Sequence, residues 1–210
     1  MDAGYLAMLR FIETVAAGLS DRTDEGIEEA FARLAAQDFS ESAYRRPEAR
    51  MLPACRFLPE AVASTMLFDS TLAAGLAEIE DTLAWRQTSG YSDTAMGAPG
   101  FMDAYAHAEI VGPTGAFAGD DFLLGLLLLG PDLHYRDHFH PAPELYWTLT
   151  GPSEWRKGDG PFLARRAGET IWHSSGVVHA MKTGPEPLLA LYMWTRDVAE
   201  PARLTDGGQA

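Results

Sequence analysis

The chain has 210 residues, enough for one well-packed core, or one core with an appended subdomain, and too few for two independent domains of ordinary size. Its 47% hydrophobic and 22% charged residues are near the globular average, which excludes wholesale disorder and fibrous repeats. A formal net charge of -14 makes the surface repel phosphate backbones and anionic lipid, so nucleic acid is not an expected partner and a small cationic or zwitterionic molecule is favoured.

The first hundred residues read as helical. Tyr5, Leu6, Leu9, Ile12 and Val15 fall on one helical face, and Gly18 is the expected stop. Asp24 is placed to cap a second helix, with Glu25, Glu28 and Glu29 at its positive end. Pro47, Pro53 and Pro59 interrupt the pattern, so residues 46–59 are expected to be irregular with short helical turns. A long helix over 64–87 then buries Met66, Leu67, Leu72, Leu76, Ile79, Leu83 and Trp85. Cys55, the single cysteine, allows no internal disulfide and no cysteine-rich zinc site, and it reads as a small buried apolar residue. The N-terminal stretch lacks a basic region and a cleavage site, so a cytoplasmic protein is expected, and monomer and homodimer are the assemblies considered.

Residues 89–100, rich in Gly, Ser and Pro, mark a change of architecture and read as a connecting loop, with a lid as the other candidate role. Strands are expected at 106–111, 121–129, 133–140, 144–150, 154–157, 162–167, 170–173, 179–182 and 188–194, a number and spacing that indicate a sandwich or barrel. The apolar run within 122–129 is too short to cross a bilayer, so no membrane span is expected. The expected organisation is a helical subdomain over 1–100 packed on a β-barrel over 101–197, with a tail over 198–210.

All six histidines lie beyond residue 106. His138 and His140 stand at i and i+2 of a strand and project to the same face. Glu144 follows a Pro-Ala-Pro turn that can return its carboxylate to the same space, and His179 can add a fourth ligand from another strand. Three imidazoles and a carboxylate suit one divalent transition metal, Zn, Fe, Mn, Co or Ni, with a position open for water or substrate. A lone histidine is more often a surface or core residue, and His107 is read that way. His134 and His173 are either partners behind the ligands or surface residues.

His138, His140, Glu144 and Gly151 reproduce the first cupin motif, HxHxxxExxxxxxG, and Gly168, Gly176 and His179 much of the second, with Ser174 where cupins usually carry Pro. The run from Tyr135 to Trp147, with Trp172 and His173, is similar to the bacterial cupin-type dimethylsulfoniopropionate (DMSP) lyases, the DddQ group above all, with DddL close by. The resemblance implies a double-stranded β-helix, or jelly-roll, barrel behind an α-helical part. It implies cleavage of DMSP to dimethyl sulfide and acrylate, with the four ligands holding the metal and Tyr146 as base. The chemistry agrees, because a β-elimination needs charge neutralised at the substrate carboxylate and a base near the metal. Aromatic faces attract a sulfonium cation. Tyr135 and Trp194 are assigned to substrate binding, Tyr135 on the resemblance, since strict alternation points it away unless a bulge intervenes. Trp147 and Trp172 read as structural. The competing readings are another cupin metalloenzyme, an Fe(II) dioxygenase or a sugar isomerase, and a non-catalytic cupin module.

Overall fold

The computed structural model describes residues 2–205. A helical layer comes first: α1 (Ala3–Ser20), α2 (Ile27–Ala35), α3 (Leu58–Phe68) and α4 (Ser70–Ile79), followed by the one-turn helices α5 (Asp93–Met96) and α6 (Phe101–Ala104). Ten strands complete the described chain: β1 (Tyr105–Val111), β2 (Leu123–Leu129), β3 (His134–Phe139), β4 (Glu144–Thr148), β5 (Ser153–Lys157), β6 (Leu163–Arg165), β7 (Thr170–His173), β8 (His179–Thr183), β9 (Leu188–Trp194) and β10 (Arg203–Leu204). They form two five-stranded antiparallel sheets, ordered β1-β2-β9-β4-β7 and β10-β3-β8-β5-β6. This is the cupin fold, mainly β with an N-terminal helical part.

Two apolar clusters explain the layering. Inside the barrel, Leu123, Leu127, Tyr135, Tyr146, Trp155, Met181, Tyr192 and Trp194 meet from both sheets. On the outer face of the first sheet, Leu124, Leu126, Leu128, Leu145, Trp147, Leu191 and Met193 pack against Met8, Phe11, Val15 and Leu76 of the helices. Strand β2 is therefore buried on both faces, which is why its sequence is a run of leucine and not an alternation. Each leucine so enclosed contributes about 1.5–3 kcal/mol of transfer free energy.

All nine strands expected from the pattern are present, with ends shifted by up to about two residues, a normal uncertainty of boundary assignment. The helices differ more. Gly18 does not stop α1, which continues to Ser20. A Cβ at Gly18 would stand 2.3 Å from Trp147 Cη2, so the glycine lets the helix lie on that indole. Asp24 does not cap α2; Gly26 does, with φ +80, and a Cβ there would meet the Trp172 ring at 2.1 Å. The expected long helix is divided at Asp69, whose carboxylate accepts from the amides of Thr71 and Leu72 and so starts α4. The division leaves Met66 58% and Leu67 91% exposed, and Trp85 lies buried in extended chain beyond the helix. Within the segment read as a tail, Arg203 pairs with Phe139 and Leu204 with His138; residues 206–210 lie outside the described residues. Among the described residues no helix is long and apolar enough to cross a membrane.

The Gly18 contact sets a measurable requirement. Gly18→Leu is expected to lower stability by about 1–3 kcal/mol in chemical denaturation through overpacking on Trp147. Ala17→Leu, on the exposed side of the same turn, should stay within about 0.5 kcal/mol.

Candidate metal centre

Three strand ends bring the site together. His138 lies in β3 directly opposite His179 of β8, ring centroids 4.1 Å apart. His140 follows β3, and Glu144 opens β4. His140, Glu144 and His179 form one buried group whose ligand atoms all lie within 4.8 Å of one another. His138 lies beside this trio and not within it. Glu144 Oε2 is 3.0 Å from His140 Nε2 and 3.4 Å from His179 Nε2, while Glu144 Oε1 accepts from the indole N–H of Trp194 at 2.8 Å.

A common device orients the imidazoles. Nδ1 of His138, His140 and His179 lies 2.9, 2.8 and 3.0 Å from the carbonyl oxygens of Arg136, Ala142 and Val177, each two residues away in the chain. A carbonyl only accepts, so Nδ1 carries a hydrogen and Nε2 is the nitrogen turned toward the site. That arrangement is what a metal ligand requires. Nε2 of His179 is fully buried and makes no hydrogen bond, an unsatisfied polar atom that a divalent cation would satisfy. Burial alone would raise the Glu144 carboxyl, but the neighbouring His140 and His179 hold it well below the usual carboxylate range. Burial pushes His138 well below the usual histidine range, so this ring is neutral.

Tyr146, two residues after Glu144, points into the same interior and is 4% exposed. Burial first, then the Glu144 carboxylate, pushes its phenol well above the usual value. Tyr135 also reaches the interior, because the β3–β8 register shifts between Tyr135 and His138 and restores the face that alternation denied. Its ring stacks on His138 at 4.0 Å and 8°, and its hydroxyl is 3.0 Å from that of Tyr91. Trp194 stacks on His140 at 4.3 Å in addition to its bond to Glu144. Tyr135 and Trp194 thus both support the histidine and carboxylate end of the cavity.

His173 lies behind the site, stacked on His179 at 4.2 Å and 16°, with neither ring nitrogen hydrogen-bonded. His134 is an exposed residue against Phe162. Trp147 and Trp172 pack toward the helices. A cavity of about 230 Å³ extends from His138, His140 and Glu144 past Tyr146 to Tyr192 and His107. These last two were missed by the motif reading. The available signal was that Tyr192 shares a face with Trp194, two positions on, but only the order of strands shows that it stands opposite Tyr146.

The fold and the buried trio define a cupin barrel with a group able to hold a metal ion. The family model of dimethylsulfoniopropionate lyase matches residues 25–190, and the chain belongs to that family. Similar curated proteins are the dimethylsulfoniopropionate lyase DddQ of Ruegeria pomeroyi, 33% identical over 65% of this chain and 64% of the relative, and a putative DddL of Cereibacter sphaeroides, 29% identical over 59% and 50%. The chain thus spans between half and two thirds of the length of the curated relatives it matches. The crystal structure of DddQ from Ruegeria pomeroyi superposes with a TM-score of 0.72 at 22% identity, covering 97% of this chain and 99% of that one. A structure of the DMSP lyases RdDddP and RnDddQII gives 0.74 at 21%, covering 97% and 100%. Both show the same fold with the helical layer included.

Two outcomes follow from the geometry. Trp194→Phe keeps a ring on His140 but removes the N–H to Glu144, and chelator competition should show divalent-ion affinity reduced about 10–100-fold. Burial, helped by Arg86, lowers His107 from 6.5 to about 4. The folded state therefore prefers the neutral ring, so this stabilisation is complete above pH 6.5 and is lost as pH falls toward 4. Urea midpoints of the metal-free chain should decline over that window, with a shallower slope in His107→Gln.

Proposed function

We propose that this chain is a metal-dependent carbon–sulfur lyase that cleaves DMSP to dimethyl sulfide and acrylate by β-elimination. The observation that carries the reading is the placement of Tyr146 in the cavity lined by His138, His140 and Glu144, one strand repeat beyond Glu144. His140, Glu144 and His179 are assigned as ligands, with His138 as the fourth from the strand facing His179. The histidine and carboxylate set accepts Zn, Fe, Mn, Co or Ni. A divalent ion bound there would neutralise the substrate carboxylate and lower the energy of the enolate-like charge that develops next to it.

The remaining work falls to the chain itself. Tyr146 is the base that takes the proton from the carbon next to the carboxylate. As that C–H bond breaks, its electrons form the C=C bond of acrylate, and the C–S pair leaves on sulfur as neutral dimethyl sulfide. Burial and Glu144 oppose ionisation of the Tyr146 phenol, and positive charge at the trio acts in the opposite sense and favours the phenolate. Tyr135 and Trp194, assigned to substrate binding by the resemblance, also share in holding His138, His140 and Glu144 against the ligand. The reading also keeps the division into a helical part over 1–100, a barrel over 101–197 and a C-terminal segment.

Headspace gas chromatography of the metal-loaded protein should detect dimethyl sulfide from DMSP. Tyr146→Phe should lose turnover by about 10²-fold or more while retaining its metal by elemental analysis. Absence of dimethyl sulfide with every one of Zn, Fe, Mn, Co and Ni overturns the substrate and leaves the other cupin enzymes, dioxygenase or isomerase. Full activity of the Phe variant overturns the base.

A further inference from the structure

The cavity has two ends of different character. At one, the trio and His138 gather the groups that favour a cation, and Trp194 and Tyr135 are occupied with them. At the other, β2 turns its inward face to the cavity through Leu123 and Leu127, with Gly125 between them on the same face. Gly125 is the one residue of that strand that is not leucine. It lies directly opposite Tyr192, and a Cβ on it would come within 2.5 Å of the Tyr192 ring. The missing side chain is the space the ring occupies. Tyr192 thereby crosses β2 and brings its hydroxyl to 3.3 Å from His107 Nδ1 on β1. Across the other edge of β9 it stands opposite Tyr146, with ring centroids 6.3 Å apart.

We infer that Tyr192, seated over Gly125 and tied to His107, is the specificity-determining residue that receives the cationic end of the substrate. The inference rests on the lyase reading and adds to it. Along β4, Glu144 and then Tyr146 follow one strand repeat apart, about 6.6 Å. A substrate with its carboxylate at the trio extends its carbon chain toward Tyr146, and its sulfonium then meets Tyr192, which stands in register opposite Tyr146. A cation avoids the end that holds a metal and is attracted by a ring face with apolar walls. Leu123 and Leu127 supply those walls for the two methyl groups, and Glu109, half-buried at the same end of the cavity, adds negative charge. Arg86, the cation of this region, is exposed at the rim. Trp194 is the other aromatic candidate, but its N–H and ring are already committed to Glu144 and His140.

The test compares binding of the trimethylammonio analogue of DMSP with its uncharged tert-butyl counterpart, by calorimetry on the metal-loaded protein. The wild type should prefer the cation about tenfold. Tyr192→Leu should erase the preference, leaving the uncharged ligand within about twofold of its wild-type affinity, while Tyr192→Phe, which keeps the ring, should retain it. Trp194→Leu should weaken both ligands equally. An unchanged preference in Tyr192→Leu, or its loss in Trp194→Leu, overturns the assignment while DMSP turnover by the wild type leaves the lyase reading intact. A wild type that neither binds these ligands nor releases dimethyl sulfide overturns both.

Discussion

One buried carboxylate organises the interior of this barrel. Glu144 is 1% exposed, and an anion in that position is tolerable only because His140, His179 and the Trp194 indole surround it. The two imidazoles are themselves held: each has Nδ1 fastened to a main-chain carbonyl, so Nε2 has no freedom to turn elsewhere. Aromatic rings fill the space behind, Tyr135 on His138 and His173 on His179. The result is a set of donors whose directions are fixed before any ligand arrives, the condition under which a site spends little free energy on reorganisation.

That precision depends on a sheet backed by helices on its outer face. The strands carrying Glu144, Tyr146, Tyr192 and Trp194 are central to the first sheet and are covered on the outside by helices. Two glycines bring the helical layer close enough, Gly18 over Trp147 and Gly26 against Trp172. Specific bonds add to the apolar contact at the end of β9, where Arg33 of α2 donates to the Thr195 carbonyl at 2.9 Å and Thr195 donates to Glu29 at 2.6 Å. These bonds tie α2 to the residue next to Trp194.

The sequence made the strands readable because barrel strands alternate and their turns carry Gly and Pro, and it made His138 and His140 readable because i and i+2 share a face whatever the tertiary structure. Helix ends were harder. Asp69 is a good cap with nothing local to distinguish it from any exposed aspartate, and the continuous apolar pattern around it hid the break. Tyr135 needed a register shift that no local pattern announces, and Tyr192 and His107 needed the strand order, since they are 85 residues apart. Gly125 was visible as an oddity in a leucine run, but its meaning lies in the ring that fills the gap. Ser174, where cupins usually carry Pro, falls just after β7 and outside the trio.

The double covering of β2 has a further consequence. A barrel cut free of α1 to α4 would present Leu124, Leu126, Leu128, Leu189, Leu191 and Met193 as one continuous oily surface in water. Such a fragment would stick to its own kind before it could bind anything small, so trimming the front of the chain to obtain a minimal catalyst is self-defeating. Solubility of the barrel is a property of its helical coat, and any shortened or grafted version has to carry that coat or replace it.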